Sequence, residues 1–76
     1  MGHPMAADVC ANITGTVWKI EVQEGDSVQA GQTVVVLESM KMELPIEAER
    51  GGKVTHVHVA EGQAVEQGAR LLTLSE

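Results

Sequence analysis

The chain contains its own template. Residues 7–39, moved forward by 37 positions, lie on residues 44–76 without a gap, so that "GTVWKIEVQEGDSVQAGQTVVVLES" falls on "GKVTHVHVAEGQAVEQGARLLTLSE". Nine of the 33 pairs are identical: Ala11/Ala48, Gly15/Gly52, Val17/Val54, Val22/Val59, Glu24/Glu61, Gly25/Gly62, Val28/Val65, Gly31/Gly68 and Leu37/Leu74. All but Glu24/Glu61 fall on glycine or an apolar residue, and Val9/Ile46, Ile20/Val57, Val34/Leu71 and Val35/Leu72 keep apolar character. What repeats is the set of turn and core positions; what varies is the surface. Each half therefore adopts the same backbone.

Both halves read as strands. In Ile20-Glu21-Val22 and Val57-His58-Val59 apolar and polar residues alternate at period two, as in a half-buried strand. Gly25 and Gly31, like Gly62 and Gly68, bracket a short polar segment holding one valine: a turn, a very short strand and another turn. Between Val17 and Ile20 the alternation slips by one, and it slips identically between Val54 and Val57, which predicts a bulge or corner in each copy. The expected strands are 7–12, 15–22, 27–29 and 33–39, repeated at 44–49, 52–59, 64–66 and 70–75. Two such halves can bury their apolar faces only against each other. The expected fold is all-β: a flattened antiparallel β-barrel or sandwich of two four-stranded sheets with internal pseudo-twofold symmetry, a barrel-sandwich hybrid. Closure into a barrel would cover the strand edges.

Subtracting the copies leaves Met40, Lys41, Met42 and Glu43 as the internal residues without a counterpart. A continuous strand over 34–48 would span about 50 Å, too long for so small a body, so the chain reverses at 40–42. Two-residue hairpin turns ordinarily take Asn-Gly or Asp-Gly because their central residues need positive φ. Met-Lys is poorly suited to that geometry, which points either to a functional demand or to a wider loop. The twofold puts this reversal opposite the termini, so Lys41 projects from the far end of the body. Met40 and Met42 either tuck onto that end or stand free for a partner, a role that suits flexible thioethers.

Bulk properties narrow the classes. A chain of 76 residues holds one small domain. We take residues 1–6 as a tag remnant or disordered N-terminus and 7–76 as the domain. Cys10 is the only cysteine, so no internal disulfide forms and the chain reads as intracellular or redox-indifferent, with the cytoplasm the expected compartment; the thiol reads as plain and half-buried in preference to reactive or regulatory. A net charge of −6, with Trp18 the only aromatic residue, argues against nucleic-acid binding. No apolar run approaches the length of a membrane span, and nothing resembles a signal peptide. His56 and His58 share one face of a strand, but two ligands fall short of the three or four a zinc site takes, so they read as a polar outer face. Trp18, beside the bulge, reads as a packing residue.

"ESMKMEL", at residues 38–44, resembles the modification motif of biotinyl domains, the carrier modules of biotin-dependent carboxylases. The likeness runs from about residue 7 to 76 and includes "EGDSVQAGQ", "EGQAVEQGA" and their spacing to the lysine. It implies that Lys41 receives biotin through an amide bond, and that Met40 and Met42 serve its recognition and use. Glu38, Ser39 and Glu43 also match. The implied partners are biotin protein ligase, which would supply the base for the lysine amine, and the biotin carboxylase and carboxyltransferase between which the carboxyl group is shuttled. By the same likeness the protein is a non-catalytic carrier, expected to be a monomer in isolation. Related lipoyl domains typically place an acidic residue before the lysine and a small one after it, and this chain departs from that pattern on both sides. The ungapped repeat leaves no room for the inserted thumb of some larger carriers. Two rival readings stay open: a lipoyl-type acyl carrier and an unmodified assembly module.

Overall fold

The computed structural model describes residues 6–75. Eight strands run in chain order: β1 (Ala6–Cys10), β2 (Gly15–Ile20), β3 (Ser27–Val28), β4 (Thr33–Ser39), β5 (Met42–Glu47), β6 (Gly52–Val57), β7 (Ala64–Val65) and β8 (Arg70–Ser75). They form two four-stranded sheets, ordered β1-β8-β6-β3 and β5-β4-β2-β7, and every pairing among the described strands is antiparallel. Exchanging β1 with β5, β2 with β6, β3 with β7 and β4 with β8 turns one sheet into the other. The register obeys the same exchange: Val9 faces Leu72 as Ile46 faces Val35, and Val17 faces Leu37 as Val54 faces Leu74.

Each sheet turns one apolar face inward because its strands alternate. The largest fully buried side chains are Val17, Val34, Val35 and Leu37 from the first half and Val54, Leu71, Leu72 and Leu74 from the second. They are four repeat-related pairs. Burying each stabilises the fold by roughly 1.5–3 kcal/mol before entropy is counted. The bulge expected in each copy is present: register shifts between Val17 and Lys19 in β2 and between Val54 and His56 in β6. Gly25 and Gly31, with φ of 97° and 87°, bracket β3 and make the turns that only glycine enters freely. Gly15 is needed for a different reason, because a Cβ there would come within 2.5 Å of the Glu38 carbonyl oxygen.

Of the two forms expected, the body takes the flattened sandwich: among the described residues no ladder joins one sheet to the other, so it is not a closed barrel. The short edge strands β3 and β7 pair with only two residues each of β6 and β2, and the turns before them carry the backbone bonding on to Val54 and Val17. The expectations for Trp18, Cys10 and the ends of β2 and β6 are corrected. Trp18 is 47% exposed and absent from the core, because the bulge turns it outward with Lys19 while Val17 and Ile20 face in. Cys10 is exposed, at the end of an edge strand. Strands β2 and β6 also stop at Ile20 and Val57, two residues short of the expected ends. Of the expected N-terminal remnant, Ala6 pairs with Ser75, and residues 1–5 lie outside the described residues.

Candidate functional site at the hairpin tip

Among the described strands, β4 and β5 are the only consecutive pair bonded to each other; every other connection crosses between sheets or leads to a strand that is not a neighbour. Their ladder runs from Thr33↔Glu47 to Ser39↔Met42, leaving Met40 and Lys41 as a two-residue loop. Both adopt left-handed backbone, with φ of 54° and 64°. Positive φ at both central residues is the type I′ pattern, matched to the twist of the flanking strands. A side chain in that region costs on the order of 1–2 kcal/mol, and here two consecutive residues other than glycine carry it. The sandwich behind the hairpin over-determines the turn, which is how such strain persists.

The tip stands at one pole of the molecule. Strand β2 opens beside it, with Thr16 paired to Glu38, and β7 pairs with the same end of β2. The loops joining β1 to β2 and β7 to β8 are four residues each, so β1 finishes and β8 begins near that pole. Ala6 and Ser75 then meet at the other, in the register that Glu43 and Glu38 hold beside the tip.

At the tip, Met40 is 90% exposed and Met42 57% exposed, so neither methionine folds back into the core. Lys41 is exposed and makes no hydrogen bond or ion pair among the described residues. A primary amine presented on a fixed backbone, clear of its own surface, is accessible to a second protein. Beside it, Glu38 and Glu43 sit directly opposite each other and both are exposed. Ser39 is half-buried and closes the ladder against Met42. The sequence reading thus named residues that the hairpin brings together, while the left-handed turn and Trp18's exposure were invisible to it. The slip in alternation at Val17–Ile20 was the one signal for the latter, since a bulge redirects a side chain.

His56 and His58 lie on the other sheet's outer face. Their rings stack at 6.0 Å, and His58 Nε2 is 2.7 Å from Thr73 Oγ1, which donates to Asp8 Oδ1 at 2.8 Å. Among the described residues no three His, Cys, Asp or Glu side chains are grouped to hold a metal ion.

Comparison with known proteins gives a consistent set of likenesses. Residues 1–74 match the family described as "Biotin-requiring enzyme". The chain is 48% identical over 67 residues to the Biotin/lipoyl attachment protein of Bacillus subtilis (strain 168), covering 88% of this chain and 92% of that one. It is 41% identical over 71 residues to the Biotinylated protein TB7.3 homolog of Mycobacterium leprae (strain TN), covering 93% and 100%. Among solved structures it resembles part of a single-chain, multi-domain long-chain acyl-CoA carboxylase, with a TM-score of 0.89 and 33% identity. That likeness covers 99% of this chain and 8% of the carboxylase chain.

Proposed function

Because the chain belongs to the biotin/lipoyl attachment family, we propose that Lys41 is its attachment residue and that the group it carries is biotin. One observation carries the reading: Lys41 is exposed, without a partner among the described residues, and the second residue of a left-handed two-residue turn at the pole opposite Ala6 and Ser75. The domain is a carrier and does not itself catalyse. Its residues fit the group, since an amide needs one accessible amine and the tip offers it free of any internal ion pair among the described residues. When bound there, biotin supplies a position that takes up carboxylate at one active site and gives it up at another.

The chain's own part is presentation. The Lys41 amine must lose a proton before it can form the amide, and with no hydrogen-bonded base at the tip that proton goes to biotin protein ligase. Afterwards the four-methylene side chain is a flexible stem on a stiff hairpin, which holds the load at high effective concentration wherever the tip can reach. Met40 and Met42 offer the adaptable apolar contact that a succession of partners requires. We assign biotin carboxylase and carboxyltransferase as those partners, and the cytoplasm as the compartment; a lone, exposed Cys10 suits a reducing environment.

Intact mass of protein made in a host able to attach both biotin and lipoate tests the assignment. The expected result is the increment of one biotin joined by an amide, lost completely in Lys41→Arg with circular dichroism unchanged. A lipoyl increment would make the protein an acyl carrier, and a biotin-bearing Lys41→Arg protein would end the proposal.

A further inference from the structure

Apart from the two methionines of the tip, Trp18 is the only exposed large hydrophobic among the described residues. It stands in the bulge of β2 beside Lys19, on the outer face of the β5-β4-β2-β7 sheet. Next to it on that face are Val36, paired with Lys19, and Pro45, paired with Val36. The pseudo-twofold axis provides an internal control, because whatever the fold requires appears in both sheets. The counterparts of Trp18, Val36 and Pro45, 37 positions away, are Thr55, Thr73 and Asp8. Those three are polar and bonded to one another: Thr55 Oγ1 donates to the Thr73 carbonyl at 3.2 Å, and Thr73 Oγ1 donates to Asp8 Oδ1 at 2.8 Å. The apolar patch is therefore no requirement of folding.

Its place along the sheet matches the reach of a loaded lysine. The Val36–Pro45 row lies three residues below the Ser39–Met42 row that closes the turn, roughly 10 Å at about 3.3 Å per residue, and Lys41 stands one step beyond. An extended lysine side chain and the acyl chain of biotin together span roughly 14 Å, from bonds of about 1.5 Å laid in a zigzag. An arm lying along the sheet therefore passes the Glu38–Glu43 row and ends at Trp18. The carried group suits what stands there. Its fused rings offer an apolar flank to an aromatic face, and its ureido oxygen accepts a hydrogen bond. Lys19 supplies a donor, since it is exposed and makes no hydrogen bond or ion pair among the described residues.

We propose that Trp18, Val36, Pro45 and Lys19 form a resting site for the biotin rings of the loaded arm, on the carrier's own flank. The inference deepens the Lys41 reading and rests on it. Tethering is what makes so shallow a site effective. An arm this short holds the rings at an effective concentration on the order of mM, so a contact too weak to retain free biotin is still occupied. The same weakness lets a partner draw the rings away.

Trp18 is the only aromatic residue, so its fluorescence and its single indole N–H resonance report the site directly. The whole protein, loaded and verified by intact mass, is compared with the unloaded chain. Loading is expected to lower acrylamide quenching of Trp18 about twofold, as occupancy of one half or more requires, and to shift the indole N–H resonance. Cross-peaks between indole and biotin ring protons are expected in the loaded protein. Lys41→Arg made in the same host is expected to match the unloaded chain. Trp18→Thr borrows the residue that the fold already accepts at position 55, and in its loaded form the biotin ring protons are expected to resonate as in free biotin. A loaded chain whose Trp18 is quenched as in the unloaded one overturns the resting site alone. So does an indole that changes without cross-peaks to the rings, which would assign the change to the hairpin, and so do ring protons unmoved by Trp18→Thr. A wild-type chain that gains no biotin overturns the Lys41 reading and this one with it.

Discussion

Glu24 and Glu61, the one repeated pair that is neither glycine nor apolar, act where the sheets run out of strand. Strand β7 and the turn before it cover β2 as far as Val17, whose amide donates to the Gln63 carbonyl at 2.8 Å; past the bulge, Ile20 donates its amide to Glu61 Oε2 at 3.0 Å. Strand β3 and its preceding turn likewise cover β6 as far as Val54, whose amide donates to the Asp26 carbonyl at 2.8 Å, and Val57 donates to Glu24 Oε2 at 3.0 Å. Each carboxylate finishes the edge of a strand in the opposite half. Because both are exposed, Glu24→Ala and Glu61→Ala are each expected to cost about 1 kcal/mol and to lower Tm by roughly 4–8 °C. The two losses should match, since the two environments are equivalent; thermal melts in which neither variant moves would reduce the carboxylates to bystanders. That the glutamates recur was plain in the sequence. Why they recur was not, because each bond joins residues 33 or 41 positions apart. Trp18 shows the same limit: its neighbours told of a bulge, but an extra residue in a strand can send a side chain to either side.

At the scale of the hairpin, stability and use pull in opposite directions. Met40 and Lys41 hold backbone angles that asparagine and glycine adopt with far less strain, and Lys41 cannot be exchanged without losing the amine. Met40 can be. Met40→Asn should stabilise the protein by up to about 1 kcal/mol, raising Tm by several degrees, roughly 4–8 °C per kcal/mol. The same change should lower the rate of biotin attachment, since it removes a 90%-exposed thioether next to the modified amine. A melt that shows no gain would mean the turn is unstrained. A gain with undiminished attachment would mean Met40 has no part in recognition. The position of the reversal was legible because the repeat leaves those residues over. The twofold also put it opposite the ends of the domain, where Ala6 and Ser75 pair among the described residues. The tightness of the turn was not legible, since a broken turn rule is equally compatible with a wide loop.

For the whole molecule, the repeat foretold two equivalent halves but not how they interlock. Equivalence under a twofold is satisfied by a closed barrel or by two separate sheets, and choosing between them requires knowing which edges pair. In the structure each half, taken alone, keeps a single ladder: β2 with β4 in the first and β6 with β8 in the second. Strand β1 needs β8, β3 needs β6, β5 needs β4 and β7 needs β2. The four fully buried side chains of each half would then face water, and a lone two-stranded ladder is marginal at best. Peptides 1–39 and 44–76 should therefore each be unfolded alone, with collapsed amide dispersion in NMR spectra. Their mixture should recover the native spectrum only at high concentration, because association costs about 4–15 kcal/mol that the intact chain avoids through its short connector. That connector is the segment that presents Lys41, so the link that makes two unstable halves into one domain is also the part offered to other proteins. A dispersed spectrum from either peptide alone would show that the halves do not depend on each other for their cores.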